Sequence, residues 1–162
     1  MCGPPGSGKT SLADYIKKVC TDKHVVYIDQ DMFNGNLAKF TTEITRLFSD
    51  PSVHVVINGK TNINTKARSV MPMPPRRGWK VLGVNLTGGN VLELLDRIIN
   101  RKTMSTVTPE VYSDEEIKKI IVNFLHKYQI ITTKEKRFHT VLNLDFDTPV
   151  LLKAIQVCKV LR

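Results

Sequence analysis

Apolar and polar residues alternate along this chain with two different periods, which separate short strands from longer helices. Runs rich in β-branched residues predict four strands, at 24–29, 53–58, 79–86 and 138–145. Apolar residues recur at helical spacing between them, which predicts helices over 11–20, 36–50, 64–71, 89–102, 113–129 and 149–161. Strands that alternate with helices indicate an α/β fold, in which a parallel sheet is flanked by helices on both faces.

Local signals support several of these helix ends. Ser113 is followed three residues later by Glu116, which is the pattern of a capping box at a helix start. Pro149 suits the first turn of the closing helix. Pro72 and the prolines that follow it end the helix at 64–71, because proline breaks the helical hydrogen-bond pattern.

The stretch GPPGSGKT (residues 3–10) has the spacing of a phosphate-binding loop and leads directly into the first helix. Gly6 and Gly8 can adopt positive φ, so that successive N–H groups point inward at phosphate oxygens. Lys9 is predicted to reach the β- and γ-phosphates of ATP, and the Thr10 hydroxyl to bind Mg²⁺. A glycine-rich turn with an accidental Lys-Thr pair is the alternative. The predicted nucleotide-binding residues are Gly3, Pro4, Pro5, Gly6, Ser7, Gly8, Lys9 and Thr10.

A phosphate loop of this type normally follows a buried strand, yet only Met1 and Cys2 precede it here. Because strands usually run about 5–6 residues, the first strand is expected to be missing or truncated. The expectation is that apolar, β-branched residues lie upstream in a parent chain and that Met1 and Cys2 end their strand. The alternative is that another segment, such as HTVLNLD (139–145), occupies the central place.

Size, charge and cysteine content narrow the class of protein. A length of 162 residues suits one domain, here a P-loop domain over 1–162. The net charge of +9 favours a polyanionic partner such as nucleic acid, although a basic surface without a specific partner stays open. Three scattered cysteines predict a reducing, intracellular location (cytoplasmic or nuclear) without disulfides. No apolar run approaches the roughly 18 residues of a membrane span, so no membrane partner is expected.

Polar residues follow the first two predicted strands. Asp29 and Asp31 come after the first, where a kinase needs a carboxylate to orient an acceptor hydroxyl and accept its proton. Turn-capping acids are the alternative interpretation. No acidic residue of the usual metal-binding kind follows the second strand, so Mg²⁺ would rest on Thr10, phosphate oxygens, water and Asp31.

The segment after the second strand offers groups for a substrate phosphate. Thr61, Asn62 and Asn64 are candidate hydrogen-bond donors, and Arg68 is a candidate ion-pair partner. A polar helix start, capped by Asn64 alone, is the alternative.

Arg97 and Arg101 lie four residues apart, and therefore on one face of the predicted helix 89–102. Together with the polar loop that follows, they suit a lid over about 97–112 that closes on a transferring phosphoryl group. A solvated basic face is the alternative interpretation of the same spacing.

Taken together, these motifs resemble the 5′-kinase domain of the polynucleotide kinases of phage and DNA-repair type. In that family a catalytic aspartate lies in an NRDD-like turn, and DQDM (29–32) puts Asp31 in its place. A DTNLNPERR-like stretch is matched by KTNINTKAR (60–68). The family's two-arginine lid, with a proline at the end of the loop, is matched by Arg97, Arg101 and Pro109. The resemblance covers residues 3 to about 130.

The resemblance implies a P-loop kinase that transfers the γ-phosphate of ATP, with Mg²⁺, to a 5′-hydroxyl of DNA or RNA. Asp31 would be the base, and Lys9, Arg97 and Arg101 would stabilise the transferring charge. Its partners would be ATP and the 5′-hydroxyl end of a nucleic acid. A ligase or a phosphatase would be a fused domain or a separate partner enzyme.

Two positions depart from the family pattern, and both lie on the acceptor side. Asn34 stands where the family has an arginine for the substrate phosphate, and Lys60 replaces an acid. The candidate substrate residues are Asn34, Thr61, Asn62 and Arg68. A small-molecule kinase of gluconate or adenylylsulfate type, and a non-catalytic nucleotide- or nucleic-acid-binding module, therefore remain alternatives.

Overall fold

The computed structural model describes residues 1–75, 78–100 and 107–162. The strands in these ranges are β1 (Val25–Ile28), β2 (Val55–Asn58), β3 (Leu82–Thr87) and β4 (Thr140–Asp145). The helices are α1 (Lys9–Val19), α2 (Leu37–Ser49), α3 (Thr65–Ser69), α4 (Val91–Ile99), α5 (Asp114–Lys127) and α6 (Val150–Leu161), and a 3₁₀ turn covers Gln30–Phe33. The predicted strands and helices are confirmed, with bounds that shift by a few residues.

The strands form two parallel pairs, which confirms the predicted α/β class. β1 pairs with β2, with Val25 opposite Val55, and β3 pairs with β4, with Leu82 opposite Thr140. Cys2 makes an isolated parallel bridge to Asn85.

Met1 and Cys2 connect the two pairs of strands. The Met1 amino nitrogen donates to the Asn58 carbonyl oxygen of β2 at 2.8 Å. The Cys2 N–H donates to the Val84 carbonyl oxygen of β3 at 2.7 Å. The spatial order is therefore β1, β2, Met1–Cys2, β3, β4, and the alternative that residues 139–145 occupy the centre is wrong, because β4 lies beyond β3.

Helices cover both faces of this sheet, as the sequence predicts. Tyr27 of β1 packs into an apolar cluster with α1 and α6, whereas its neighbour Ile28 packs against α2. Alternate strand residues point to opposite faces, so these clusters lie on opposite sides. A third apolar cluster joins α4 to α5. No helix of the described ranges combines the length and the apolar character that crossing a membrane requires.

Cys20 and Cys158 form a disulfide, so the expectation that the chain has no disulfide is wrong. α1 and α6 pack side by side in one apolar cluster. This packing brings the two Cα atoms to 6.0 Å, although the residues are 138 apart in sequence. Cysteine spacing alone contains no sign of such a contact. Cys2 is the buried free thiol.

We expect reduction of the Cys20–Cys158 disulfide to lower the free energy of unfolding by about 2–4 kcal/mol. The bond joins residues 138 apart, so opening it frees a long loop in the unfolded chain. Denaturant unfolding with and without dithiothreitol measures the change. A Cys20→Ser/Cys158→Ser double variant is the control and should not respond to the reductant. Equal midpoints for the oxidised and reduced chain would contradict this expectation.

Candidate phosphate-binding cleft

The predicted phosphate loop runs from Cys2 to the start of α1 and has the backbone that its glycines allow. Gly6 and Gly8 have φ of 79° and 86°. A Cβ at Gly6 would lie 2.6 Å from the Leu94 carbonyl oxygen of α4, so no larger side chain fits there. The space beside Gly8, the N-cap of α1, is open to 4 Å. The N-terminal end of α1 lies at the loop, where the helix dipole favours an anion.

Lys9 and Thr10 extend this loop with polar side chains. The Lys9 Nζ donates to the carbonyl oxygens of Gly3 and Pro4 at 3.0 and 2.9 Å, which holds the ammonium over the loop. The Thr10 Oγ1 lies 3.3 Å from the Tyr27 Oη, which ties α1 to the end of β1.

A cleft of about 1160 Å³ opens in front of the loop, at the carboxyl ends of the strands. Parallel α/β sheets bind their ligands at this edge. The structure brings these predicted site residues to its wall: Lys9, Thr10, Asp31, Asn34, Thr61 and Arg97.

The two acids after β1 have different environments. The Asp29 carboxylate accepts from the Tyr27 Oη at 2.6 Å and from the Asp31 N–H at 3.2 Å, so it caps the 3₁₀ turn. The Asp31 side chain is exposed and lines the cleft. The turn-capping alternative therefore applies to Asp29, although the carboxylates of both Asp29 and Asp31 line the cleft.

Tyr27 was missed by the sequence analysis, although it positions Asp29. Burial raises the pKa of the Tyr27 hydroxyl, and its hydrogen bond to Asp29 raises it further, so the group stays protonated and donates. A Cβ at Gly59 would lie 2.2 Å from the Tyr27 Oη and 2.5 Å from an Asp29 oxygen, so only glycine leaves room for this pair. The sequence does contain a signal for this pair: Tyr27 and Asp29 are two residues apart, and residues at that spacing along a strand lie on the same face.

Arg97 lines the cleft beside the turn that follows β4. Its guanidinium carbon is 3.6 Å from the centroid of the Phe146 ring, a close cation–π contact. Phe146 was also missed, although it directly follows β4. The second predicted lid residue, Arg101, lies outside the described residues, so the predicted lid at 97–112 stays a prediction.

Asn62 and Arg68 do not line the cleft, so the structure does not support their predicted contact with substrate. Arg68 is 3 % exposed and forms an ion pair with Glu135. Its guanidinium also donates to the carbonyl oxygens of Asn62 and Gln129 at 3.0 and 2.8 Å. Arg68 is a buried residue of α3, and these contacts occupy its donors inside the protein.

Two other residues of this segment follow β2 in different roles. Asn64 caps α3 by accepting from the Ala67 N–H at 2.8 Å, which agrees with the helix-start interpretation. Lys60 lines the cleft with Asp31 and Thr61. Burial lowers the pKa of Lys60, because the charged form loses part of its hydration.

The residues around Thr10 suit a Mg²⁺ ion that is bound mainly by the phosphates of a nucleotide and by water. Within the described ranges, no cluster of three or more His, Cys, Asp or Glu side chains is suited to hold a metal. Mg²⁺ commonly keeps several waters and takes only one or two protein ligands beside the phosphates. The Thr10 hydroxyl and the Asp31 carboxylate, which line the same cleft, are donors of the required type.

Neither a family model nor a curated protein matches this sequence. Three solved structures, each 16 % identical, are similar over nearly its whole length. The first is a gluconokinase from Sinorhizobium meliloti 1021, for which the structural alignment covers 99 % of this chain and 90 % of the gluconokinase chain, with a TM-score of 0.60. The second is a fungal RNA kinase, for which the alignment covers 96 % of this chain and 80 % of the RNA kinase chain, with a TM-score of 0.67. The third is Kti12 of Chaetomium thermophilum in complex with ADP-AlF3, for which the alignment covers 98 % of this chain and 93 % of the Kti12 chain, with a TM-score of 0.63.

These similarities show that the chain has the α/β fold of the P-loop kinases. At this level of identity they do not single out the polynucleotide kinases of phage or DNA-repair type. The predicted fold class is therefore confirmed, whereas phosphoryl transfer by this chain and the identity of its acceptor stay proposals.

Proposed function

We propose that this protein is an ATP-dependent kinase that transfers the γ-phosphate to a 5′-hydroxyl group of a polynucleotide. The observation that carries the proposal is the position of Asp31. It lines the same cleft as the phosphate loop, whereas Tyr27 holds the neighbouring Asp29 as a cap of the turn. A phosphate donor site and a carboxylate that can accept a hydroxyl proton therefore lie in one cleft.

The phosphate loop is the ATP side of the cleft. The backbone N–H groups of residues 6–10 would bind the phosphate oxygens, and the Lys9 ammonium would exchange its contacts with Gly3 and Pro4 for the β- and γ-phosphates. Bound Mg²⁺ supplies positive charge that offsets the charge of the phosphates, and the Thr10 hydroxyl would hold it beside phosphate oxygens and water.

Asp31 is the central residue on the acceptor side. The acceptor oxygen forms a bond to the γ-phosphorus while the bond from that phosphorus to the bridging oxygen of ADP breaks, and the hydroxyl proton passes to the Asp31 carboxylate. Asn34, Thr61 and Lys60 line the same side and would hold the acceptor. Asn34 offers hydrogen bonds without charge, so Lys60 would provide the cation that faces an anionic acceptor.

The overall charge supports a polynucleotide acceptor. The chain carries +9, and a basic protein attracts polyanions. The similarity to a fungal RNA kinase supports the same choice. A small-molecule hydroxyl is the second candidate acceptor, because the gluconokinase is similar over 99 % of this chain. The departures at Asn34 and Lys60 leave a non-catalytic nucleotide-binding module as the third possibility.

Formation of ADP from ATP and Mg²⁺ distinguishes these candidates. We expect a single-stranded oligonucleotide with a 5′-hydroxyl to stimulate ADP formation. The same oligonucleotide with a 5′-phosphate is the matched control and should not stimulate it. Stimulation by gluconate alone would favour the small-molecule kinase, and no stimulation by any acceptor would favour the non-catalytic module.

The affinity for an oligonucleotide is expected to fall steeply with added salt. Lysine and arginine side chains that contact phosphates release counterions, so log affinity falls by about 0.7 per contacted phosphate for each unit of log salt on a single strand. Fluorescence anisotropy over a series of salt concentrations measures this slope. An oligomer of the same bases on an uncharged backbone is the control. A flat response would count against a polynucleotide acceptor.

A further inference from the structure

The excess positive charge of this chain is concentrated in two segments. Residues 51–92 contain six lysines and arginines and no aspartate or glutamate. Residues 129–139 contain three further basic residues and a single acid, Glu135. Together the two segments carry +8 of the net charge of +9, so the rest of the chain is close to neutral.

The fold places these two segments side by side. The Gln129 N–H donates to the Ile63 carbonyl oxygen at 2.8 Å, and the Gln129 side chain accepts from the Thr65 N–H at 3.3 Å. The Arg68 guanidinium donates to the Gln129 carbonyl oxygen at 2.8 Å and forms the ion pair with Glu135. The segment that follows α5 therefore lies along α3, and the charges of the two segments share one surface.

The ion pair between Arg68 and Glu135 withdraws the one acid of this surface. The Arg68 side chain is 3 % exposed and the Glu135 side chain 12 % exposed. The negative charge of Glu135 is therefore offset inside the protein and does not face an approaching anion. Arg137 ties the same segment to the end of α3, because its guanidinium donates to the Met71 carbonyl oxygen at 2.9 Å.

Three lysines remain on the outside of this contact. Lys66 lies in α3 between Thr65 and Arg68, and Lys134 and Lys136 flank Glu135. All three side chains are exposed. Within the described ranges, no carboxylate forms an ion pair with any of them. Their charges are therefore open to a ligand in solution.

This group of lysines continues from the cleft. Lys60 lines the cleft beside Asp31 and Thr61, and α3 begins only five residues later. Lys60, Lys66, Lys134 and Lys136 are called the basic strip below. A small acceptor such as gluconate would lie within the cleft and would not reach lysines beyond α3. A linear polyanion would reach them, because positively charged surfaces of this kind follow the backbone of a single strand.

We propose that the basic strip binds the phosphate backbone of a single-stranded polynucleotide whose 5′-hydroxyl end lies in the cleft. Lys60 meets the first phosphate, and Lys66, Lys134 and Lys136 meet the phosphates that follow. Contacts with phosphates position a strand without reading its sequence, so the strip holds strands of any sequence. The placement of the 5′ end rests on the proposed function.

Two double variants with the same change in net charge test the strip. Lys134→Gln/Lys136→Gln removes two of its exposed lysines, which do not line the cleft. Lys18→Gln/Lys159→Gln is the matched control, because it removes two exposed lysines of α1 and α6 on the opposite face of the sheet. Fluorescence anisotropy measures the affinity of both variants for a thymidine dodecanucleotide with a 5′-hydroxyl, over a series of salt concentrations.

The Lys134→Gln/Lys136→Gln variant is expected to bind the dodecanucleotide about tenfold more weakly at low salt. The slope of log affinity against log salt should fall by about 1.4, because each lost phosphate contact removes about 0.7. The control variant should keep both the affinity and the slope of the unchanged chain. In the ADP assay, the KM for the dodecanucleotide should rise by about tenfold relative to the KM for a thymidine dinucleotide, which is too short to reach the two lysines.

Equal affinities of the two variants for the dodecanucleotide would overturn the proposal, even if the chain transfers phosphate. An equal rise in the KM for the dinucleotide would also overturn it, because the lysines would then act within the cleft. Weaker binding of poly-glutamate with unchanged binding of the dodecanucleotide would assign the strip to an acidic protein instead. Absence of ADP formation with every acceptor would contradict the proposed function alone, since the binding comparison does not depend on transfer.

Discussion

Replacing Lys9 by alanine is expected to abolish detectable phosphoryl transfer, with a loss in turnover of about 10²–10³-fold or more. The ammonium lies over the phosphate loop, where it contacts the Gly3 and Pro4 carbonyl oxygens in the structure. It is the side-chain cation of the loop itself, so the variant also loses affinity for ATP. Turnover and ATP binding measured on the same preparation separate the two effects.

Lys18→Ala is the matched control for this variant. Lys18 is an exposed lysine in the last turn of the same helix, α1, far from its N-terminal end. Its removal changes the net charge by the same amount and should leave turnover unchanged. Thermal unfolding of both variants checks that the fold is intact. Unchanged turnover in a folded Lys9→Ala variant would rule out the proposed nucleotide site.

Replacing Asp31 by asparagine is expected to cut turnover by about 10²-fold or more while ATP binding stays nearly intact. Asparagine keeps the shape of the side chain but cannot take the proton of the acceptor hydroxyl. The Asp31 side chain is exposed in the cleft, so the substitution should not disturb the core. Single-turnover transfer and equilibrium ATP binding are the two measurements.

Asp29→Asn is the matched comparison, two residues away in the same turn. An asparagine oxygen can still accept from the Asp31 N–H, and the Tyr27 hydroxyl can accept from the asparagine amide instead of donating to a carboxylate, so this change should cost far less turnover. A larger loss from Asp29→Asn than from Asp31→Asn would move the proposed base to the other carboxylate. It would also contradict the alignment of DQDM with the family turn.

The strands and helices could be predicted because their signals are local. The helix from Asp114 begins with the reciprocal Ser113–Glu116 cap that the sequence predicts, and the apolar run at 53–58 contains β2. The carboxyl ends of parallel strands share one edge of the sheet, so Asp31 and Thr61 could be placed beside the phosphate loop before any contact was known.

The remaining features depend on contacts between distant parts of the chain. Arg68 lies in the stretch that the sequence predicts to bind substrate. Its guanidinium instead forms a buried ion pair with Glu135, which is 67 residues further along the chain. The Cys20–Cys158 disulfide joins residues 138 apart. The contact between Arg97 and Phe146 requires α4 to lie against the turn after β4. No local pattern encodes these partners, because each depends on how the layers pack.

The central claim is that one cleft brings the γ-phosphate of ATP to a 5′-hydroxyl group. The most direct measurement incubates the protein with Mg²⁺, ATP labelled at the γ-phosphate and a 5′-hydroxyl oligonucleotide, and then locates the label by digestion from the 5′ end. We expect label on the 5′-terminal nucleotide for the unchanged chain, and labelling that is slower by about 10²-fold or more for Lys9→Ala and Asp31→Asn. Label that stays entirely in ATP with the unchanged chain, or that appears on gluconate and never on the oligonucleotide, would contradict this claim.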